Sequence, residues 1–79
     1  MRKPKAKLEQ WRLDFDMTTE KYFLVGKIYK DEQKRFANGQ RIYTSEIFNI
    51  DFENMTAETK NTIYTLKSMG FNLWASQLT

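Results

Sequence analysis

The sequence predicts an all-β protein: a small antiparallel sheet of four to five strands curled into a barrel or half-barrel, with a short C-terminal helix. Three observations lead to this expectation. Apolar and charged residues alternate over several segments, and turn-forming residues such as Asn38-Gly39 separate those segments. Gly26 interrupts the most apolar segment, as the backbone of a curved sheet often requires. A chain of 79 residues is one small domain, which we expect to cover residues 8–79.

The chain begins with a basic segment, MRKPKAK, which we expect to be a flexible arm over residues 1–7. The segment contains little that must be buried, and Pro4 disfavours regular structure. The following residues alternate apolar with charged side chains, the apolar ones being Trp11, Leu13 and Phe15. This period of two predicts a half-buried strand with its aromatic side chains facing inward, followed by a turn over residues 17–20.

The second strand is predicted in KYFLVGKIYKD, which is rich in aromatic and β-branched residues. One face would carry Tyr22, Leu24, Gly26 and Ile28, and the other Phe23, Val25, Lys27 and Tyr29. Both faces are apolar near the start, so we expect this to be a central strand. Gly26 indicates a bend, a bulge or a second backbone passing close by.

The Asn38-Gly39 pair is predicted to reverse the chain into a third strand. Such a pair suits the positive φ angles of a type I′ turn. In the following RIYTSEIFNIDF, residues 41–52, two alternating faces can be followed throughout, and the more apolar one is expected to turn inward towards its end. The pattern changes near Ser45 and Glu46, which we interpret as a bulge.

A turn in ENMTAE and a fourth strand in TKNTIYTLK are predicted next. Ile63 would face away from Thr62, Tyr64 and Leu66. Thr recurs every third residue here, but Thr at this density beside Ile and Tyr favours strand over helix. The last segment, SMGFNLWASQLT, is expected to form a short helix or an irregular cap that closes the end of the sheet with Phe71 or Trp74.

The composition excludes several kinds of chemistry. The chain has no Cys and no His, so disulfides, thiolate or imidazole zinc sites, and triads built on His cannot be formed within it. No apolar run approaches the length of about 18 residues that spans a bilayer, and the N-terminus lacks the apolar stretch of a secretory signal. We therefore expect a cytoplasmic protein without cofactor, metal or membrane partner.

The net charge of +3 belongs to the N-terminal segment. Four of the 13 basic residues are Arg2, Lys3, Lys5 and Lys7, and the rest of the chain holds nine basic residues against 10 acidic ones. A basic arm of this kind is either a solubilising tail or a contact to nucleic acid or an acidic partner.

Two small groups of residues are candidate reactive sites. Asp14 and Asp16 lie on one strand face and could bind a cation or act as an acid-base pair, but acidic residues on the solvated face of a strand have the same pattern. Thr44 or Ser45 could be a nucleophile, yet only a lysine such as Lys27 or Lys34 remains as a base. Hydrogen bonds across strands are the favoured role of these hydroxyl groups.

Basic and aromatic residues adjoin in four places, at Lys21–Phe23, Lys27–Lys30, Arg35-Phe36 and Arg41–Tyr43. On a small sheet such residues can stack on bases and contact phosphates. They can also be core aromatics with solvated cations beside them, which suits the net acidic body of the chain. The three glycines are isolated, so no glycine-rich phosphate loop is predicted.

The order of these motifs resembles small uncharacterised proteins encoded by bacteriophages, prophages and plasmids. The pattern is G-x-[IV] at Gly26–Ile28, then Arg35-Phe36 with Asn38-Gly39, then Ile42 with Thr44-Ser45 and Ile47, and finally Asn61-Thr62 with Tyr64 and Leu66. Those proteins often have Asp where Asn38 stands. The resemblance covers roughly residues 22–66, brings no catalytic residues, and implies a short accessory gene of a mobile element. Inhibitors of host defence and small regulators are plentiful among such genes.

Taken together, the sequence predicts a non-enzymatic protein that acts by binding a host protein, and the resemblance implies that inhibition of a nuclease or other defence component is one role to expect. The expected contact group surrounds the Asn38-Gly39 turn and consists of Tyr29, Arg35, Arg41 and Tyr43. The alternative is a nucleic-acid-binding barrel that uses the same face, with Arg2, Lys3, Lys5 and Lys7 as a phosphate grip. An exposed edge strand also makes a homodimer plausible.

Overall fold

The computed structural model describes residues 2–67, and over this range the chain forms six β-strands and no helix. The strands are β1 (Lys5–Asp16), β2 (Lys21–Tyr29), β3 (Gln40–Tyr43), β4 (Asn49–Asp51), β5 (Thr56–Glu58) and β6 (Ile63–Lys67). They form one sheet in the order β3-β2-β1-β6-β5-β4. The all-β prediction is confirmed, while the predicted C-terminal helix lies outside the described residues.

The sheet differs from the prediction in strand number, direction and closure. It has six strands instead of four to five, and β1 pairs with β6 in parallel, with Lys5 opposite Ile63 and Glu9 opposite Lys67. Alternation of side chains has the same period in both directions, so the sequence pattern could not reveal the parallel pair. β3 and β4 are the two edges, and no ladder joins them, so the described strands form an open sheet and not a closed barrel.

A β-bulge redirects β1 at Gln10. Glu9 lies opposite Lys27 and Arg12 opposite Val25, so two residues of β1 face the single residue Gly26. Gln10 has a φ of 50°, in the left-handed region. Because of this extra residue, Leu8 and Trp11 both reach the buried side of the sheet instead of opposite sides.

At Gly26 the backbone of β1 passes close to β2, as predicted. A Cβ atom at this position would lie 2.9 Å from Leu8 Cγ and 3.0 Å from the carbonyl oxygen of Glu9. No larger residue fits there without a shift of β1. The prediction that β2 is flanked on both sides is also confirmed, because it pairs with β1 and β3.

The Asn38-Gly39 pair ends a long loop and does not form the predicted type I′ turn. The φ of Gly39 is 86°, the amide of Gln40 donates to the carbonyl of Ala37 at 3.1 Å, and Asn38 is not among the residues with positive φ. One positive φ at the third turn position matches a type II turn. The Asn38 side chain accepts a hydrogen bond from the amide of Lys30 at 2.8 Å, which closes the loop between β2 and β3.

The predicted third strand, residues 41–52, is divided between the two edges of the sheet. After β3 the chain still follows β2, since the amide of Ile47 donates to the carbonyl of Tyr22 at 2.9 Å. The next amide, of Phe48, donates to the carbonyl of Glu58 at 2.9 Å and leads into β4. The change of pattern at Ser45 and Glu46 therefore marks a break between strands, and not a bulge within one.

The sheet curls, because the consecutive amides of Ile47 and Phe48 bond to β2 and β5, which lie three strand spacings apart in its order. The core lies on one side of the sheet, which we call the concave side, and the opposite side is the convex face. Its members are buried apolar residues from five of the strands and the bulge: Ala6, Leu8, Trp11, Leu24, Ile28, Ile42, Ala57, Tyr64 and Leu66. Phe36, Ile47, Ile50 and Met55 pack against them and are partly buried. The predicted orientation of the last strand is confirmed, because Tyr64 and Leu66 are buried while Ile63 faces the other way.

The basic arm is shorter than predicted. Lys5, Ala6 and Lys7 belong to β1, between β2 and β6, and Ala6 is only 3% exposed. The preceding Pro4 accepts a hydrogen bond from the amide of Ile63 at 3.0 Å through its carbonyl group. Alternation with Ala6 as the single apolar residue was too weak a signal to extend the strand to Lys5.

Candidate partner-binding surface

The far end of the β1–β2 hairpin carries large apolar side chains that the rest of the sheet does not cover. β1 has 12 residues, but within residues 2–67 β6 pairs only with Lys5–Glu9, so the far half of β1 has β2 as its one neighbouring strand. The uncovered side chains are between 41% and 60% exposed and form what we call the hairpin patch: Leu13, Phe15, Tyr22 and Phe48. Exposed apolar groups of this size, gathered in one place, are typical of protein interaction surfaces.

The hairpin patch is contiguous because Tyr22 joins its parts. The ring of Tyr22 contacts the ring of Phe15, which faces it across the strands, with centroids 4.9 Å apart and a tilt of 59°. On its other side Tyr22 lines a shallow groove together with Leu13, Phe48 and three further residues, Ile47, Asn49 and Ile50. Its floor is apolar, and Asn49 at the start of β4 provides the polar group at its rim.

The charges around the hairpin end are mainly acidic. Arg12 is 3.7 Å from Asp14, and Lys21 is 3.4 Å from Glu46, so both cations are paired. Within the described range, Asp16 and Glu20 have no ion-pair partner. Asp16 instead accepts a hydrogen bond from the amide of Thr18 at 2.9 Å and shapes the predicted turn. This end of the molecule thus joins apolar surface with an excess of negative charge.

Three of the four predicted contact residues lie on the convex face of the sheet. Arg41 is opposite Lys27 and Tyr43 opposite Val25, while Tyr29 follows on the same face of β2. Tyr43 is 71% exposed and stacks on Phe23 with ring centroids 6.1 Å apart. The structure therefore brings Tyr29, Arg41 and Tyr43 to one face of the sheet, and Tyr43 also lines a groove at the hairpin end together with Tyr22 and Phe23.

Arg35, the fourth predicted contact residue, is held inside the loop between β2 and β3. Its Nε donates to Asp31 Oδ2 at 3.1 Å and its Nη2 to Asp31 Oδ1 at 3.2 Å, while its guanidinium lies 5.4 Å from the ring centre of Phe36. Burial would raise the pKa of Asp31, but hydrogen bonds from Arg35 and Gln33 outweigh it and lower the pKa below its ordinary value. This pair stabilises the loop that covers the core.

The basic residues proposed as a phosphate grip are partly engaged within the protein. Lys3 forms an ion pair with Glu58 and donates to the carbonyl of Thr59 at 3.0 Å, and Arg2 is 3.6 Å from Glu32. Lys7 lies in β1 opposite Tyr29, on the convex face, and Lys5 is the first residue of the strand. These cations therefore occupy fixed places on the sheet and its border.

The two candidate reactive groups have structural partners. The hydroxyl of Thr44 accepts a hydrogen bond from the amide of Leu24 and donates to the carbonyl of Ser45, both at 2.9 Å, so it replaces a strand hydrogen bond where β3 ends. Asp14 Oδ1 accepts a hydrogen bond from the amide of Phe15 at 2.9 Å. Over residues 2–67, no three Asp or Glu side chains gather closely enough to hold a metal ion.

The hairpin patch was not identified from the sequence. The alternation correctly placed Leu13 and Phe15 on the same side as Trp11, but they were expected to be buried, whereas they are 41% and 42% exposed. The one signal in the sequence was the length of the first strand. A strand of 12 residues extends beyond the shorter strands that follow it. The sequence around Tyr22 and Phe48 did not indicate that they are exposed, because their exposure depends on which strands pack over them.

In the part of the chain that the structure describes, no helix is long and apolar enough to cross a membrane. The chain matches no protein-family model, no curated protein and no solved structure.

Proposed function

We propose that the protein acts without catalysis, by binding another protein through the hairpin patch. The observation that supports this function is the contiguous group of Leu13, Phe15, Tyr22 and Phe48, each at least 41% exposed on a small sheet. Aromatic side chains on a rigid support lose little conformational entropy when they are buried in an interface, so they are common binding hot spots. The partner is a host protein, and inhibition of a defence component follows from the resemblance to proteins of mobile elements.

Affinity capture from host lysate tests this proposal with a matched pair of variants. Phe48→Ser removes a ring of the hairpin patch, and Phe52→Ser removes a ring that is equally exposed, at 59%, but lies in the turn after β4. We expect wild type and Phe52→Ser to retain one stoichiometric protein that Phe48→Ser loses. Recovery of no such protein, or equal recovery by all three chains, would contradict the proposal.

Nucleic-acid binding by the convex face is the second candidate function. It is supported by the cluster of Tyr29, Lys27, Arg41 and Tyr43 on that face. Opposite Lys27 on β1, however, lies Glu9, and Asp14 is opposite Phe23, so the face alternates in sign. Affinity for phosphates depends on a continuous positive field, which favours the protein-binding proposal.

Titration with single-stranded and double-stranded oligonucleotides at low salt separates the two candidates. A nucleic-acid binder would lose affinity steeply as salt rises, and Arg41→Glu would weaken binding while Phe48→Ser would not. Under the favoured proposal, neither oligonucleotide binds measurably. Salt-sensitive binding that depends on Arg41 would reverse the order of the two functions.

A further inference from the structure

Among the strands that the structure describes, none occupies the backbone groups on the outer edge of β1 beyond the bulge. β6 ends opposite Glu9, while β1 continues to Asp16. Within residues 2–67, no strand pairs with this part of β1 on the side away from β2. An unpaired strand edge of this kind is a template for adding an extended chain.

The directions of the hydrogen bonds identify which residues face the open side. Leu24 directs both its amide and its carbonyl towards Thr44, with distances of 2.9 and 2.8 Å, and therefore away from its partner Leu13 in β1. In an antiparallel pair, residues that do not exchange hydrogen bonds point their backbone groups outward on both strands. The amide and carbonyl of Leu13 consequently point to the open side.

Phe15 follows the same alternation two residues later. Its partner Tyr22 accepts a hydrogen bond from Ile47 on the far side of β2. The amide of Phe15 is occupied only by the side chain of Asp14, at 2.9 Å. An exposed carboxylate that covers an edge amide in this way can rotate aside when a strand is added.

We propose that the partner binds by adding an extended segment to the open edge of β1 at Leu13 and Phe15. This inference rests on the proposed function and specifies its mode of recognition. Every second side chain of the added segment is apolar and contacts Leu13 and Phe15 on the concave side. The side chains between them are Lys or Arg.

The negative charge along the open edge of β1 is the reason for Lys or Arg at every other position of the added segment. Side chains of an added strand on the convex side lie beside Arg12, Asp14 and Asp16, and Glu20 follows in the turn. Arg12 is already paired with Asp14, so the edge carries a net negative charge. A segment with basic residues at these positions has complementary charge, whereas one with acidic residues is repelled.

Capped peptides that alternate Val with Lys, or Val with Glu, test the proposal on the full chain. The Lys peptide is expected to bind and the Glu peptide is not. A third peptide, which alternates Val and Lys but carries N-methyl groups on the residues that face β1, cannot donate backbone hydrogen bonds. We expect its affinity to fall about tenfold for each one or two hydrogen bonds lost. Asp14→Lys should reverse the preference between the Lys and Glu peptides.

Hydrogen exchange of the Leu13 amide, measured by NMR on the full chain, reports occupation of the edge directly. The amide should exchange fast in the free protein and slowly with the Lys peptide. Slow exchange in the dilute free protein would mean that the chain's own residues 68–79 cover the edge. Protection that rises with protein concentration would mean that a second copy covers it. Either result would overturn the proposal.

The N-methylated peptide and Phe15→Ala together distinguish failure of strand addition from failure of binding through the hairpin patch. If the N-methylated peptide binds as well as the unmodified one and Phe15→Ala abolishes the binding of both, the patch binds through side chains alone. Strand addition is then wrong, while binding through the hairpin patch stands. If Phe15→Ala and the control Phe52→Ala bind the Lys peptide equally, the edge at Phe15 is not the site.

Discussion

At the scale of single residues, the Asp31–Arg35 pair shows how a cation can be removed from the binding surface. The Asp31 side chain is only 2% exposed and accepts hydrogen bonds from two backbone amides and from the guanidinium of Arg35. Arg35 and Phe36 are a basic and an aromatic residue side by side, which is a pair typical of binding motifs. Whether such a residue faces outward depends on Asp31 four positions earlier, and alternation gives no information about side chains in a loop.

We expect Asp31→Asn to destabilise the protein by about 2 kcal/mol, because two charge-assisted hydrogen bonds are lost and Arg35 is partly solvated. The pKa of Asp31 is lowered from 3.8, so its contribution is complete above pH 3.8 and is lost as the pH falls through the lower value of the folded protein. Urea unfolding at a series of pH values measures both effects. The control is Glu53→Gln, whose carboxylate lies in the exposed turn after β4; an equal loss in both variants would contradict this account.

Two glycines provide a second prediction at this scale. Gly26→Ala places a Cβ 2.9 Å from Leu8 Cγ and 3.0 Å from the Glu9 carbonyl, so we expect a loss of about 2–3 kcal/mol from overpacking. Gly39→Ala meets Tyr29 at an ordinary 3.5 Å, but its φ of 86° is strained for Ala and costs about 1 kcal/mol. Thermal and urea unfolding of both variants check the order. A larger loss for Gly39→Ala would mean that β1 and β2 can separate easily.

At the scale of elements, the bulge in β1 determines what the hairpin presents. Alternation predicted the strand and grouped Trp11 with Leu13 and Phe15, but it did not reveal the extra residue at Gln10. Patterns of alternation likewise predicted β2 and β6. The change of pattern at Ser45 and Glu46 fits both a bulge and a break between strands, and the sequence does not separate the two because residues 44–48 remain strand-like in composition while they pass from β2 to β5.

Gln10→Gly is expected to stabilise the protein by up to about 1 kcal/mol. The φ of 50° at Gln10 is unfavourable for a residue with a Cβ, and the side chain is exposed, so little packing is lost. Arg12→Gly is the control, since Arg12 lies in the regular strand after the bulge and should lose stability. The midpoint of urea unfolding measures both changes. A loss of stability in Gln10→Gly would show that the bulge does not depend on this backbone conformation.

At the scale of the whole molecule, the strands within residues 2–67 leave one end of the longest hairpin uncovered. The all-β class and the inward side of Trp11 could be predicted from the sequence, but the burial of Ala6 and Ala57, which lie in the predicted arm and turn, could not. The open end could not, because exposure of Leu13 or Phe48 depends on the order of six strands and on one parallel pair. The predicted contact residues were chosen for proximity to the Asn38-Gly39 turn, and that turn lies away from the uncovered end.

Binding of the dye ANS measures the uncovered apolar surface independently of any partner. We expect Phe48→Ser to lower ANS fluorescence with little change in stability, because the ring is already 60% exposed in the folded protein. Phe52→Ser, at 59% exposed and outside the hairpin patch, should leave the fluorescence nearly unchanged. Equal decreases in the two variants would show that ANS binds to individual exposed aromatic rings and not to the hairpin patch as one surface.

The parallel pairing of β1 with β6 also affects how the protein is made. Residues 5–9 cannot gain their second neighbour until residues 63–67 have left the ribosome tunnel, so the middle of the sheet is completed only after the intervening strands have been made. Until then the nascent hairpin is unshielded on one side along its whole length. Chaperones that recognise extended apolar chains would therefore meet the exposed hairpin before β6 pairs with it.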